Sequence, residues 1–166
     1  MDALRDQACI TGVGETAFTR GSGKSGTALI LEASMHAIAD AGLTPHDIDG
    51  IIPPPFGIAA EQLAANLGIA DLRYAPTVHM GGASAVTALQ SAAMAVACGV
   101  ATHVLIPLGW NGYSAQRVRN MSEGEKGGGV LSALSTTIGE YYLPYGASVP
   151  VQWYAWIATR HQQLYG

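Results

Sequence analysis

The chain has 166 residues, 12 Asp and Glu against 8 Lys and Arg, a formal net charge of −4, and only 12% charged residues beside 49% hydrophobic ones. An ordinary globular domain carries about twice that charged fraction, roughly 25%, so much of this surface has to be buried and disorder is excluded. The acidic balance, with no cluster of Lys or Arg, also excludes a partner bound through a phosphate backbone, such as nucleic acid.

Residues 1–7 carry Asp2, Arg5 and Asp6 and lack the basic-then-apolar order of a secretion signal. Residues 8–13 are a short, partly β-branched apolar run ending in glycine, which predicts a strand. Gly12, Gly14 and Ala17 formally match a dinucleotide-binding pattern, whose glycines bring a backbone close to a pyrophosphate. The context fails: the next helix begins only near Ser25, and the second strand runs into prolines instead of ending on an acid. The motif is therefore read as a tight turn leaving a strand. From Ser25, the residues Ala28, Leu31, Met35 and Ile38 recur at helical spacing, with Glu32, His36 and Asp40 on the other face and Gly42 as the stop. Thr44 and Pro45 open a short helical turn.

Gly50, Ile51 and Ile52 predict a second strand, cut off by Pro53, Pro54 and Pro55. A short helix over 59–67 closes at Gly68, a third strand covers 75–79, a helix over 83–98 starts near Ser84 and closes at Gly99, and a fourth strand covers 103–108. The order βαβαβαβ defines an α/β fold with helices covering a largely parallel sheet. No Asp, Glu, Lys or Arg occurs from Tyr74 to Gln116. Within that stretch residues 83–101 are mainly Ala and include Ser84, Thr87, Gln90 and Ser91, which suits a core helix between two layers rather than a membrane span.

Beyond Gly109 the pattern changes to a charged, glycine-rich loop over 121–129 and helices over 131–138 and 149–166. The rings at 140–145 and 153–156 are read first as ordinary packing and second as a cover for a flat apolar substrate. Residues 1–110 form one domain on this reading, and 111–166 a loop-domain segment. Cys9 and Cys98 each sit in an apolar run without a ligand pattern, so no metal site is expected and a reduced, cytoplasmic compartment fits.

The richest motif is His79-Met80-Gly81-Gly82-Ala83-Ser84, where the third strand passes into the uncharged helix. Backbone N–H groups at a helix start are unpaired and favour negative charge, so an oxyanion or thioester carbonyl can be held there. Gly81 and Gly82 allow a ligand close approach. The alternative, equally open from spacing alone, is a strained turn with Ser84 as a simple helix cap. His79 on its own fits a hydrogen-bonded strand residue as well as a base.

Residues 10–18, the helix end Ala39-Asp40-Ala41-Gly42-Leu43, the run Gly81-Gly82-Ala83-Ser84-Ala85 with Ala88 and Leu89, and the closing Arg160-His161-Gln162-Gln163-Leu164-Tyr165-Gly166 together resemble the thiolase superfamily. Within it the chain is most similar to the sterol-carrier-protein, or lipid-transfer-protein, thiolases. The resemblance implies a thiolase-like fold, here its first βαβαβαβ half and the start of the loop domain. In that family the loop before the buried helix carries a cysteine nucleophile, and this sequence places Gly82 there. Glycine at that position is similar to the non-thiolytic branch that includes aldolases of steroid side-chain CoA thioesters, which work with an OB-fold partner of the DUF35 type.

That resemblance implies retro-aldol cleavage of a β-hydroxyacyl-CoA, with Gly81, Gly82, Ala83 and Ser84 at the substrate and His79 as a catalytic candidate near it, while the acid and base residues of the family lie mainly in the second half of its fold. A non-catalytic, thiolase-like or lipid-transfer subunit that completes a partner's site is the alternative, and an acetyl-CoA acyltransferase a further one. No bound cofactor is implied; coenzyme A arrives as the substrate's thioester. Arg117, Arg119 and Lys126 are the cations expected near its phosphates. The second half of the family fold has no counterpart here, so the apolar face of the uncharged helix is expected to need a second copy or a second thiolase-like half.

Overall fold

The computed structural model describes residues 4–19, 21–55, 57–109, 137–147 and 150–166. The chain divides into two compact units, Met1–Met121 and Ser122–Gly166.

In the first unit, helix α1 (Gly26–Asp40) starts at Ser25, whose hydroxyl accepts the N–H of Ala28 at 3.1 Å, and ends before Gly42 in the left-handed region (φ 69°). Helix α2 (Ala60–Leu67) is closed by Gly68, and helix α3 (Ser84–Ala97) is followed by Gly99, both also left-handed. Between α1 and the sheet, the backbone N–H and the hydroxyl of Thr44 both donate to the Asp47 carboxylate, at 2.8 and 2.7 Å, and tie a short helical turn, Pro45–Asp47. Those two donors hold the Asp47 carboxyl below its ordinary pKa.

Strands β1 (Gly50–Ile51) and β2 (Val104–Leu105) pair in parallel, with Gly50 opposite Val104 and Ile51 opposite Leu105. Tyr74 bridges to Gly50 in the parallel sense. Alternation along the strands separates two cores. Ile51 and Leu105 pack with Ile30, Ile38, Leu63 and Leu67, whereas Ile52, Val104 and Ile106 pack with Ala88 and Ala92. Helices α1 and α2 therefore cover one face of the sheet and α3 the other. Ser84, Ala88, Ala92 and Ala95, all buried, present α3's small side chains to the sheet, and the Tyr74 hydroxyl lies 2.7 Å from that of Ser91. The rest of α3 leaves Val86, Leu89 and Met94 exposed.

Three of the four expected strands are corrected. Residues 75–79 form no strand; only Tyr74 pairs, because Pro76 has no N–H with which to carry the ladder further. The fourth strand stops at Leu105, short of Pro107, for the same reason. Residues 8–13 also form no strand, since no ladder lies beside them. They lie along α1 instead: the N–H of Val13 donates to the Asp40 carboxylate at 2.9 Å, and the carbonyl of Glu15 lies 2.9 Å from His36 Nδ1. A Cβ on Gly12 would sit 2.3 Å from the carbonyl oxygen of Ala37, and one on Gly14 2.2 Å from that of Ala33. These glycines serve a close approach of two backbones, and not the tight turn leaving a strand that the sequence predicts.

In the second unit a π-helical turn (Ile138–Tyr142) and a short turn (Leu143–Tyr145) precede helix α4 (Pro150–Tyr165). Tyr142 stacks on Trp153 with ring centres 5.2 Å apart and meets Trp156 at 5.9 Å, while the Trp153 indole donates to the carbonyl of buried Ala147 at 3.2 Å. Tyr142, Trp153 and Trp156 pack together, as the first of the two readings has it, while Tyr141, Tyr145 and Tyr154 are exposed. Most of the helix expected over 131–138 lies outside the described residues.

Candidate functional site

The motif ahead of α3 folds as a single helical turn, Gly81–Ala83, that runs straight into the helix. Gly81 adopts φ 55°, a conformation that disfavours a side chain. Ser84 is buried and ties the turn together: its hydroxyl accepts the N–H of Met80 at 2.9 Å and donates to the carbonyl of Gly81 at 2.7 Å. It is thus the brace of the turn and not the expected helix cap. Thr87 adds a hydroxyl bond back to the carbonyl of Ala83 at 3.1 Å.

The donors at this helix start sort into two pairs. The N–H of Ala83 donates to the carbonyl of Met80 at 3.1 Å, and the N–H of Ser84 to that of Gly81. Those two groups are spent inside the turn and are not among the unpaired donors expected at a helix start. The N–H groups of Gly81 and Gly82 have no partner among the described residues. All three turn residues are solvent-exposed, and a Cβ built on Gly82 meets no atom within 4 Å. The turn therefore presents two unspent backbone donors beside an open space at the N-terminus of a 14-residue helix.

His79 is half-buried on the extended stretch two residues before the turn. Cys98 is exposed at the far end of α3, which rises about 1.5 Å per residue. At roughly 20 Å it cannot serve chemistry at Gly82. Arg117, Arg119 and Lys126 lie outside the described residues. Among the described residues, no three His, Cys, Asp or Glu side chains gather as a metal site, and no helix is long and apolar enough to cross a membrane.

Sequence reasoning missed Asp49, which sets the register of the sheet beside this layer. Its carboxylate accepts the N–H of Thr102 at 2.9 Å with either oxygen and that of His103 at 2.9 Å, and the His103 ring lies 3.0 Å from the carbonyl of Asp47. Burial works against the charged form, but the N–H groups of His103 and Thr102 outweigh it and hold the carboxyl below its ordinary pKa. An Asp directly before an apolar strand is the one signal that could have marked it.

No family model matches the chain. It is 36% identical over 167 residues to a steroid side-chain-cleaving aldolase of Thermomonospora curvata, across the whole chain and 42% of that relative. It is also 36% identical over 168 residues to the 17-hydroxy-3-oxo-4-pregnene-20-carboxyl-CoA lyase of Mycobacterium tuberculosis, across 98% of the chain and 42% of that protein. Among solved structures, an Ltp2-ChsH2(DUF35) aldolase superposes with a TM-score of 0.81 and 34% identity, over 99% of this chain and 40% of that one. The similarity is thus to two aldolases, one named for cleaving a steroid side chain, and to a lyase named for a carboxyl-CoA compound. The chain spans about two fifths of the length of the relatives it matches.

Proposed function

We propose that this chain forms part of a thiolase-fold aldolase that cleaves a β-hydroxyacyl-CoA, such as a steroid side chain, by a retro-aldol step without a covalent nucleophile. The observation that carries the reading is the turn before α3: Gly82 stands there without a side chain, its N–H and that of Gly81 unspent. The names of the relatives, a steroid side-chain-cleaving aldolase and a CoA lyase, support the reaction class.

The chemistry balances with these parts. A base removes the proton of the β-hydroxyl, the carbonyl of the new ketone forms, the bond between the α and β carbons breaks, and its electron pair passes into the thioester as an enolate. A proton at the α carbon then releases a shorter acyl-CoA. The enolate oxygen carries the developing charge, and the Gly81 and Gly82 donors at the positive end of α3 stabilise it. His79 is the titratable side chain placed next to the turn and takes the base role in this reading. Coenzyme A is part of the substrate, with Arg117, Arg119 and Lys126 as the cations for its phosphates. The solved aldolase includes a DUF35 chain by name, and a DUF35-type OB-fold protein is the proposed partner.

The exposed Val86, Leu89 and Met94 on α3 favour a second reading, in which the chain completes the site of a partner or of a second thiolase-like half. The protein as isolated from its source is mixed with a β-hydroxyacyl-CoA bearing a steroid side chain, and products are read by mass spectrometry. A ketone and a shorter acyl-CoA in equal amounts are expected; an intact substrate refutes the aldolase reading.

A further inference from the structure

The buried residues of α3 are Ala88, Ala92, Ala95 and, at the first position of the helix, Ser84. A buried hydroxyl is costly unless it is hydrogen-bonded, and alanine is the better helix former. The Ser84 hydroxyl is bonded, but to groups of the turn and not of the helix: it accepts the N–H of Met80 at 2.9 Å and donates to the carbonyl of Gly81 at 2.7 Å. We infer that Ser84 is a positioning residue of the retro-aldol step, whose hydroxyl locks the peptide between Gly81 and Gly82 so that the N–H of Gly82 faces the enolate. The inference rests on the cleavage reading proposed above.

The lever is the planarity of that one peptide. In a trans peptide the C=O and the N–H point in opposite directions, so holding one aims the other. The carbonyl of Gly81 accepts from Ser84 twice, from the hydroxyl and from the backbone N–H. Both bonds draw the carbonyl toward the start of α3 and turn the N–H of Gly82 away from Ser84. The carbonyl of Met80 is held by the N–H of Ala83 at 3.1 Å, which aims the N–H of Gly81 in the same way.

The lock is needed because of the residues on either side of it. A peptide flanked by two glycines turns over with little steric hindrance, and Gly81 already sits at φ 55°. Turned over, the peptide puts the carbonyl oxygen of Gly81 where the N–H of Gly82 had been. A donor to the developing enolate charge is then replaced by a dipole that opposes it. The two glycines that open the turn to a substrate thus create the freedom that Ser84 removes. A preorganised donor acts on charge that develops in the transition state, so its loss falls on kcat rather than on substrate binding.

The test uses the protein as isolated from its source, in parent form and as Ser84→Ala and Ser84→Thr, with rates taken per mole of protein that melts cooperatively. Ser84→Ala is expected to lower kcat for a β-hydroxyacyl-CoA on the order of 100-fold and to leave KM within about twofold. Ser84→Thr keeps the hydroxyl and is expected to hold kcat within about threefold of the parent. A parent kcat in Ser84→Ala, or equal losses in the two variants, overturns the proposal and leaves the cleavage reading standing. A parent that does not cleave the substrate overturns both. Amide exchange of the parent checks the lock without any variant: the N–H of Met80 is expected to exchange at least about 10-fold more slowly than that of Gly82, and equal rates overturn the proposal even if Ser84→Ala does not fold.

Discussion

The two flanks of the first unit differ sharply in how they are finished. Around β1 and α2, Ile51 and Leu63 are fully buried, Ile52 nearly so, and Asp49 answers two backbone N–H groups at once. Toward residues 8–18 and the outer face of α3, Ile10 and Val86 are each 70% exposed and Phe18 93% exposed, with little charge among them. The difference teaches that burial, and not polarity, separates a closed core from a surface made to be covered. An apolar surface left this open marks an interaction face.

Predictions can break that comparison or sharpen it. The largest loss belongs to the closed flank: Leu63→Ala removes a side chain that is 0% exposed and is expected to cost about 2–5 kcal/mol in a urea titration. The exposed Val86→Ala is expected to stay within about 0.5 kcal/mol in the same assay; equal losses at both positions would erase the contrast. Asp49→Ala leaves the N–H groups of Thr102 and His103 unanswered and is expected to cost about 2–3 kcal/mol.

Because the folded-state pKa of Asp49 is depressed, its contribution is present above the unfolded value near 3.9 and fades as pH falls below it. Thermal melts of the parent from pH 6 to pH 2.5 should therefore lose stability below about pH 4, and the Asp49→Ala variant should lose less. Gly14→Ala drives a methyl group into the α1 backbone and is expected to cost about 1–3 kcal/mol by melting. The smallest effect is at the site. Gly82→Cys has open space, so an unchanged melting temperature is expected, together with a thiol that is alkylated at lower pH than Cys98 because it sits at a helix N-terminus.

The helices were legible because their signals are local: Ser25 as a cap, and Gly42, Gly68 and Gly99 as stops, act within a few residues of chain. The strands were legible only where a neighbour exists. Residues 8–13 have the composition of a strand but no ladder, and 75–79 lose theirs at Pro76. At the turn before α3, the residue types marked where the helix starts, while the division of donors did not follow from them. Which N–H groups are spent depends on the way Ser84 and Met80 close the turn. By spacing Asp40 and His36 belong to a polar face of α1, yet they hold the N-terminal segment through bonds 27 and 21 residues long in sequence. Contacts of that range leave no trace in a local pattern.

The proposed carbon–carbon cleavage needs no thiol. Thiolysis consumes one free coenzyme A for each bond broken, whereas a retro-aldol step consumes none. The most direct measurement is the cleavage rate of a β-hydroxyacyl-CoA by the protein isolated from its source, with and without added free coenzyme A, while the mass of this chain is followed. The account predicts the same rate in both and an unmodified chain. Cleavage that depends on free coenzyme A, or an acyl group covalently bound to this chain, would contradict it.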